Sequence, residues 1–252
     1  MRKKKTRMME INKIYNEDCL IGMQRIPDKS IDMILCDLPY GTSACKWDVV
    51  IPFEPLWEQY KRIIKDNGAI VLFGSQPFTS ALVMSNPKMF RYEWIWDKKK
   101  GGNIMNLKYQ PYKVHENVLV FSKLSHIYNP IMTEQKERTS RTYSKGVANG
   151  IQNYGDIRKY NKKYPKSIIE ESNANQTGKV HPTQKPVPLM EYLIKTYTNE
   201  GELVLDNCIG SGTTAIACIN TNRNYIGFEL DKGYFEIAQN RIINHSSEKR
   251  LF

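Results

Sequence analysis

Short apolar runs that alternate with amphipathic stretches restrict the fold of this chain more than any other feature of its sequence. Runs typical of buried strands cover residues 30–36, 69–73, 91–96, 117–121, 202–206 and 224–229. Helical spacing covers residues 56–65, 213–221 and 234–243, and Asp66, Asn67 and Gly68 predict the end of the first helix. Strands that alternate with helices in this way predict an α/β fold with a doubly wound, mostly parallel sheet.

The composition is that of a globular protein with an excess of basic residues. Hydrophobic residues make up 40% and charged residues 25% of the 252 residues, which excludes wholesale disorder. Lys and Arg number 37 against 26 Asp and Glu, and the resulting net charge of +11 favours a polyanionic partner. Five scattered cysteines without a C-x-x-C pair predict neither a zinc site nor a disulfide framework, so no metal is expected.

The sequence gives no indication of a membrane or secretory protein. Residues 1–18 open with basic residues but have no apolar run behind them, unlike a secretory signal. No stretch approaches the roughly 20 apolar residues of a membrane helix. Together with the unpaired cysteines, these observations predict a cytoplasmic protein.

Residues 122–180 interrupt the alternation of strands and helices. This segment is polar and turn-rich, and it holds 11 Lys and Arg against 5 Asp and Glu, with five tyrosines interleaved. A structureless loop of this length is uncommon inside a compact domain, so the segment is either an inserted functional module or partly disordered. Basic and aromatic residues together favour contact with nucleic acid over a merely solvated insertion. The basic cluster Arg158, Lys159, Lys162 and Lys163 is the predicted DNA contact.

A glycine-rich turn follows the predicted strand at residues 202–206 and opens a helix. Gly210 and Gly212 in this turn allow a ligand to approach the backbone closely. Glu229, at the end of the next strand, is placed to accept both hydroxyls of a ribose. A phosphate-binding loop is excluded because no Lys follows Gly212, and Asp206 suits a cationic or amino-acid ligand better than a phosphate. A tight strand-to-helix turn without a ligand is the alternative.

A second motif, Asp37-Leu38-Pro39-Tyr40, comes directly after the predicted strand at residues 30–36. Pro39 fixes its own φ and biases Leu38 towards extended backbone, so the carbonyl of Leu38 has a set direction. The Asp37 carboxylate and that carbonyl form a receptor for an exocyclic NH₂ group, and Tyr40 offers a face on which a planar base can stack. A simple strand-ending turn is the alternative.

Taken together, these motifs resemble the DNA amino-methyltransferases of the N6-adenine/N4-cytosine family. Residues 37–40 match the family's catalytic D/N/S-P-P-Y/F motif, and residues 206–214 match its S-adenosylmethionine loop. Residues 181–186 (HPTQKP) match the motif before that loop, and residues 115–121 resemble the strand before the recognition region. This order of motifs identifies the permuted beta class. Two residues depart from the pattern: Leu38 replaces the first proline, and Cys208 replaces the usual phenylalanine.

The resemblance implies a Rossmann-like, circularly permuted methyltransferase fold with an inserted target-recognition region. Residues 1–121 then form the catalytic half, residues 122–180 the recognition insert and residues 181–252 the cofactor-binding half. The implied catalytic residues are Asp37, Leu38, Pro39 and Tyr40. The implied contacts to S-adenosylmethionine are Asp18, Cys19, Thr183, Lys185, Asp206, Cys208, Gly210, Ser211, Gly212, Thr213 and Glu229. Among these, Asp18 receives the adenine amino group, Asp206 lies near the cofactor's own amino group, and Thr183 and Lys185 lie at its carboxylate end.

The activity that the resemblance implies is site-specific methyl transfer to the exocyclic N6 amine of adenine in double-stranded DNA, with the target base flipped out of the helix. Adenine is preferred because the motif opens with Asp37, whereas serine is more frequent in the N4-cytosine members. N4-cytosine methylation, a non-catalytic DNA-binding relic of the fold and glutamine methylation on a protein are the alternatives. Cytosine C5 methylation is rejected because no Pro-Cys motif exists. A homodimer is plausible from the resemblance.

Overall fold

A computed structural model of the chain describes residues 9–42, 48–143, 154–173 and 184–249. The chain divides into two compact units. One unit consists of the chain up to Asn129 and from Ser167 onwards, and the other is Pro130–Lys166. The smaller unit lies inside the insert predicted at residues 122–180, and the functional division of the chain into three parts stays a prediction.

The larger unit is built on one mixed β-sheet. The strands of the whole described chain are β1 (Lys13–Asn16), β2 (Ile31–Cys36), β3 (Ile64–Gly74), β4 (Phe90–Asp97), β5 (His115–Phe121), β6 (Thr133–Tyr143), β7 (Tyr154–Lys163), β8 (Ile168–Glu170), β9 (Leu203–Asp206) and β10 (Asn224–Glu229). The sheet of the larger unit has the order β1-β10-β9-β2-β3-β5-β4-β8. Within this order β5 runs antiparallel to β3 and β4, and the other neighbours are parallel.

Helices cover both faces of this sheet. They are α1 (Cys19–Met23), α2 (Phe53–Ile63), α3 (Phe78–Ser85), α4 (Val187–Tyr197), α5 (Thr213–Asn220) and α6 (Lys232–Lys249). Because side chains alternate along a strand, Met33 and Leu35 of β2 pack in one core with residues of α4 and α5. Ile34 and Cys36 of the same strand pack in a second core with residues of α1, α2 and α3. A doubly wound, mostly parallel sheet was predicted from the sequence, and this arrangement confirms it.

One sequence prediction about helix boundaries is wrong. Residues 66–68 were expected to end the first long helix, but α2 ends at Ile63 and β3 begins at Ile64, so these residues lie within the strand. A Cβ atom on Gly68 would stand 2.7 Å from the carbonyl oxygen of Asp32 in β2. The glycine therefore permits a close approach of two strands, which a sequence pattern cannot distinguish from a helix stop.

The parallel strands bring the predicted functional residues to one edge of the sheet. Asp37 follows the carboxyl end of β2, while Asp206 and Glu229 are the last residues of β9 and β10. β4 runs in the same direction as β2, because two antiparallel pairings through β5 separate them. Its last residue, Asp97, therefore lies at this edge as well. Ligands bind at such an edge in open α/β sheets.

The smaller unit is a two-stranded antiparallel ribbon of β6 and β7. Its register pairs Thr133 with Lys163 and Tyr143 with Tyr154, with two irregularities in between. Residues 157–163 of β7 are all exposed. Within the described part of the insert, β6 and β7 thus form a ribbon, and the exposed residues 157–163 are mostly polar. None of the helices in the described ranges has the length and apolar character needed to cross a lipid bilayer.

Candidate active site

A cavity of about 900 Å³ opens at the carboxyl edge of the large sheet. It brings together residues from both sequence motifs, which are far apart in the chain. The predicted site residues that line it are Asp18, Cys19, Asp37, Leu38, Pro39, Tyr40, Lys185, Asp206, Cys208, Gly210, Ser211, Thr213 and Glu229. Gly212 is not part of the lining, and Thr183 lies outside the described residues.

Side-chain contacts fix the Asp37-Leu38-Pro39-Tyr40 segment. The Tyr40 hydroxyl donates to Asp37 Oδ1 at 2.7 Å, and the Tyr40 ring stacks on Phe78 with 5.0 Å between centroids. The side chain of Leu38 is buried in the second core, so the residue that replaces the family's proline anchors the turn through apolar packing. One face of the Tyr40 ring is therefore covered by Phe78, while Tyr40 itself still lines the cavity.

Lys185 lies at the centre of a row of alternating charges. Its Nζ donates to Asp37 Oδ2 and stands 3.3 Å from Glu116 Oε2. The other carboxylate oxygen of Glu116 accepts a hydrogen bond from Lys98 Nζ at 2.9 Å. The Lys185 side chain is only 8% exposed, and its ammonium also lies 5.0 Å from the centre of the Phe73 ring.

The pKa values in this row depend on one another. Burial raises the pKa of Asp37, the charge of Lys185 opposes this rise, and the charge of Glu116 adds to it. Burial lowers the pKa of Lys185, but the two carboxylates together raise it above its ordinary value. Burial also raises the pKa of Glu116, but Lys185 and Lys98 bring it below its ordinary value. The positive charge of Lys185 favours the ionised form of both neighbouring carboxyl groups, against the effect of burial.

The structure gives Lys185 neighbours that the sequence prediction did not name. The resemblance assigned this residue to the carboxylate end of the cofactor, whereas in the structure its ammonium is bonded to Asp37 and paired with Glu116. Sequence reasoning missed Glu116 and Lys98 as parts of the site. The signal was present in the His115-Glu116 pair that opens β5, which was interpreted only as part of a strand.

The glycine-rich turn between β9 and α5 is organised around Asp206. Its Oδ2 accepts from the Thr214 hydroxyl, and its Oδ1 accepts from the backbone N–H of Cys208 at 3.1 Å. Gly210 has φ +53°, and nothing lies within 4 Å of the place where a Cβ would stand, so its backbone is open to a ligand. Gly212 has φ +83° and packs closely on Ala238 of α6, so its glycine is required by the turn itself.

Glu229 and Asp18 are held by backbone N–H groups. Glu229 Oε2 accepts from Gly210 N–H at 2.9 Å, and its Oε1 accepts from Asp231 N–H at 2.8 Å. Asp18 is the N-cap of α1, where its Oδ1 accepts from the N–H groups of Leu20 and Ile21. Burial raises the pKa of Glu229, and these backbone donors oppose the rise. The two carboxylates are thereby oriented before any ligand binds.

Two of the site's cysteines surround a buried amide. The Nδ2 of Asn207 lies 3.6 Å from Cys19 Sγ and 3.5 Å from Cys208 Sγ, and its Oδ1 accepts from the Tyr60 hydroxyl at 2.6 Å. Cys208 thus fills the place of the family's phenylalanine as a small packing residue. Within the described ranges, no three His, Cys, Asp or Glu residues are arranged to hold a metal ion.

Comparison with known proteins identifies the family of the chain. A family model described as DNA methylase (N6_N4_Mtase) matches residues 31–240, a span that contains both motifs. The chain belongs to this DNA methylase family. The Type II methyltransferase M1.MboII of Moraxella bovis is 28% identical to this DNA methylase over 94% of the chain and 98% of the relative. The DNA adenine methyltransferase YhdJ of Escherichia coli K12 is 26% identical over 96% of the chain and 87% of the relative.

The solved structures support the same fold. The crystal structure of an M1.HpyAVI–SAM complex aligns with a TM-score of 0.60 at 25% identity and covers 91% of this DNA methylase and 98% of its own chain. The Rossmann-like methyltransferase fold inferred from the resemblance is therefore confirmed. The roles of individual side chains in the cavity remain predictions that the geometry makes specific.

The ionisation of Asp206 predicts a pH-dependent gain in stability for Asp206→Asn. Burial raises the pKa of Asp206 to about 7, because its hydrogen bonds to Thr214 and Cys208 only partly offset the loss of water. In an unfolded chain the pKa is about 3.9. Since the folded state holds the proton more tightly, ionisation opposes folding increasingly from about pH 4 and fully above pH 7. We expect Asp206→Asn to raise the free energy of unfolding at pH 8 more than at pH 4.5.

Urea unfolding of the ligand-free protein at the two pH values measures this difference. Glu58→Gln is the matched control, because Glu58 is an exposed carboxylate on α2. An equal effect of Asp206→Asn at both pH values would show that its charge does not oppose folding.

Lys185→Met is expected to change the free energy of unfolding in the opposite direction to Asp206→Asn, with a larger loss of stability at high pH than at low pH. The variant leaves Asp37 and Glu116 as neighbouring carboxylates without Lys185, which typically costs about 3–5 kcal/mol for a buried pair. The pKa values of both carboxyl groups rise in the folded variant, so stability falls as the pH rises through them and recovers in acid. Unfolding at pH 8 and pH 5 checks this, and Lys185→Arg serves as the control that keeps the charge. If Lys185→Met lowered the free energy of unfolding equally at both pH values, the loss would come from packing alone.

Proposed function

We propose that this DNA methylase transfers the methyl group of S-adenosylmethionine to the exocyclic N6 amine of adenine in double-stranded DNA. The observation that carries the proposal is the Asp37 carboxylate, which Lys185 and Tyr40 hold in the same cavity as Glu229. A solved relative of known fold binds SAM, and YhdJ is by name a DNA adenine methyltransferase. Both names support the choice of cofactor and base.

The residues of the cavity fit S-adenosylmethionine. Its lining contains many more acidic than basic side chains, which suits a cofactor that carries a sulfonium cation. The acidic lining residues are Glu17, Asp18, Asp37, Asp48, Glu116, Asp206, Glu229 and Asp231, and the basic ones are Lys98, Lys185 and Lys232. Glu229 would hold the ribose hydroxyls, Asp18 the adenine amino group and Asp206 the amino group of the methionine portion. The open backbone at Gly210 gives the cofactor room to approach.

The chain's own residues supply position and charge rather than a covalent intermediate. The cofactor, when bound, supplies a methyl group that its sulfonium has already activated. Asp37 and the carbonyl of Leu38 accept hydrogen bonds from the target amine, which localises the lone pair on nitrogen, and the negative charge of Asp37 offsets the positive charge that develops there. Each Asp37 oxygen already accepts one hydrogen bond, from Tyr40 or Lys185, and keeps a lone pair for the amine.

The base must leave the duplex to reach Asp37. An exocyclic amine inside stacked DNA is out of reach of a carboxylate at the end of a strand, so the target nucleotide flips into the cavity. Tyr40 then offers the ring face that Phe78 does not cover. Cytosine C5 chemistry finds no support, because the thiol of Cys36 is fully buried in β2.

Labelled-methyl transfer to unmethylated DNA tests the proposal, with nucleoside digestion and mass spectrometry as the readout. N6-methyladenine is the expected product, while N4-methylcytosine would establish the alternative base. Binding of S-adenosylmethionine without transfer to DNA would indicate a relic of the fold. The homodimer and the cytoplasmic location stay predictions.

Variants of Asp37 and Glu229 are expected to lose different properties: Asp37→Ala the rate of methyl transfer, and Glu229→Ala the affinity for the cofactor. Asp37→Ala removes the acceptor for the target amine but leaves the glycine-rich turn and Glu229 in place, so the single-turnover rate should fall by about 10²–10³ with little change in the Kd for S-adenosylmethionine. Glu229→Ala should weaken cofactor binding, because removing a charged hydrogen-bond partner costs roughly 1.5–3 kcal/mol. Calorimetry and rapid-quench methylation on both variants separate the two effects. If Asp37→Ala kept the wild-type turnover rate, residues 37–40 would be only a strand-ending turn without a catalytic role.

The β6–β7 ribbon is proposed as a contact to the DNA backbone. Lys159 Nζ lies 3.1 Å from Glu137, and Lys162 Nζ lies 3.9 Å from Glu134, so part of the ribbon's positive charge is balanced locally. Each phosphate neutralised contributes about −0.9 to the slope of log affinity against log salt. Changing Arg158, Lys159, Lys162 and Lys163 together to Gln should therefore flatten that slope. Glu134→Gln with Glu137→Gln is the control of opposite charge and should strengthen binding. An unchanged slope would place the DNA contacts elsewhere.

A further inference from the structure

The connection between β4 and β5 carries lysines beyond the one, Lys98, that belongs to the charge row of the active site. This connection, residues 98–114, is called here the β4–β5 loop. It contains five lysines (Lys98, Lys99, Lys100, Lys108 and Lys113) and no Asp or Glu. Lys98 is paired with Glu116, and Lys99 with Asp97 and Glu170. The exposed Lys100 and Lys108 therefore carry the charge that is complementary to a polyanion.

Hydrogen bonds between the two ends of the β4–β5 loop, residues 98–103 and 111–114, give it a defined shape. These two ends are called here the neck of the loop. Lys98 N–H donates to the carbonyl of Val114 at 2.7 Å, and the Tyr112 hydroxyl donates to the carbonyl of Gly101 at 3.1 Å. The side chain of Asn103 bridges to the opposite limb, where it donates to Pro111 O at 3.0 Å. A Cβ on Gly101 would stand 2.5 Å from the carbonyl oxygen of Lys113, so the neck closes only because this residue is glycine.

The tip of the loop presents large apolar side chains to solvent. Met105 is 91% exposed, Tyr109 79%, Ile104 67% and Leu107 47%. Residues Ile104–Asn106 form a short helical turn that places these side chains on an ordered backbone. Single exposed apolar residues are common, but four on one structured tip, with Lys108 beside the Tyr109 ring at 5.0 Å, indicate a binding surface.

The base of the loop lies at the active-site cavity. Trp96, near the end of β4, and Lys98, the first residue of the loop, line the same cavity as Asp37. At the other end of the loop, Lys113 Nζ donates to Ser75 Oγ, directly after the carboxyl end of β3. The loop is therefore anchored at the carboxyl ends of β4 and β3, on the side of β2 that is opposite to β9 in the sheet order.

We propose that the tip of the β4–β5 loop enters the DNA duplex beside the target base. Apolar side chains that are inserted between base steps unstack them and occupy the space that a departing base leaves. Met105, Ile104 and Tyr109 have the exposure and the apolar character for this task, and the exposed Lys100 and Lys108 contact the flanking phosphates. The inference rests on the proposed function, because it requires a duplex whose base moves into the cavity.

The experiment compares a paired with a pre-opened substrate. Sequencing of DNA methylated by the wild-type enzyme defines its site, which is then built into a duplex with a paired target base and into one with a mismatched target base. A mismatched base costs less to unstack. We expect Met105→Ser with Tyr109→Ser to lower the single-turnover rate at least tenfold on the paired duplex and by less than twofold on the mismatched duplex. The Kd for S-adenosylmethionine should be unchanged.

Met84→Ser is the matched control, because Met84 is 72% exposed on α3 and belongs to no part of the cavity lining. It should leave both rates as in the wild type. Equal losses of the tip variant on both duplexes, or no loss on either, would overturn the inference. A wild-type enzyme that methylates neither duplex would instead overturn the proposed function, so the two failures are distinguishable.

The lysines of the loop allow a second, independent measurement. Lys100→Gln with Lys108→Gln should reduce the slope of log affinity against log salt by about two phosphate contacts, each worth about 0.9. A 2-aminopurine placed at the target position reports unstacking through its fluorescence. Tip variants should lower this signal on the paired duplex, whereas the lysine variants should weaken binding without removing the signal at saturating protein.

Discussion

The two contacts of Lys185 are the interaction on which the active site depends. One ammonium is placed between Asp37, which follows β2, and Glu116 in β5, and Lys98 closes the row after β4. A buried charge is costly unless an opposite charge lies beside it, and in this row each charge has such a neighbour. Removing Lys185 takes the neighbouring cation away from Asp37, whereas Glu116 keeps Lys98. The Asp37 carboxylate is therefore one end of a row of charges whose four members come from separate parts of the chain.

This dependence explains why a chain with an inserted ribbon still forms one catalytic centre. The catalytic motif precedes the ribbon and Lys185 follows it, so the chain has to return to the sheet before Asp37 acquires its partner. The parallel pairing of β9 with β2 brings the glycine-rich turn next to the catalytic motif. Permutation of the motifs along the sequence therefore leaves their arrangement at the edge of the sheet intact.

The sequence predicts those elements whose side chains face the core on a regular period. β2, β9 and β10 were expected within a residue of their observed ends, because their apolar runs are buried on both faces. The ribbon was missed, since the sequences of Thr133–Tyr143 and Tyr154–Lys163 are mostly polar and show no apolar alternation. Residues of the cavity could be found by motif, but the partner of Lys185 could not. Whether an ammonium contacts a ligand or a neighbouring carboxylate depends on the three-dimensional register of three strands.

The distribution of charge shows how one molecule can receive both a cation and a polyanion. The chain as a whole carries +11, yet acidic residues dominate the lining of the cavity. Asp18 and Glu229 are held by backbone N–H groups, so their charges are stabilised without lysines that would repel a sulfonium. Two lysines of the lining, Lys98 and Lys185, are paired with carboxylates, and Lys185 lies beside two of them. The surplus of positive charge is thereby left to exposed segments such as the ribbon and the β4–β5 loop, where phosphates can reach it. Because exposed and enclosed charges are screened to different degrees, salt should weaken the contacts to DNA far more than those to the cofactor.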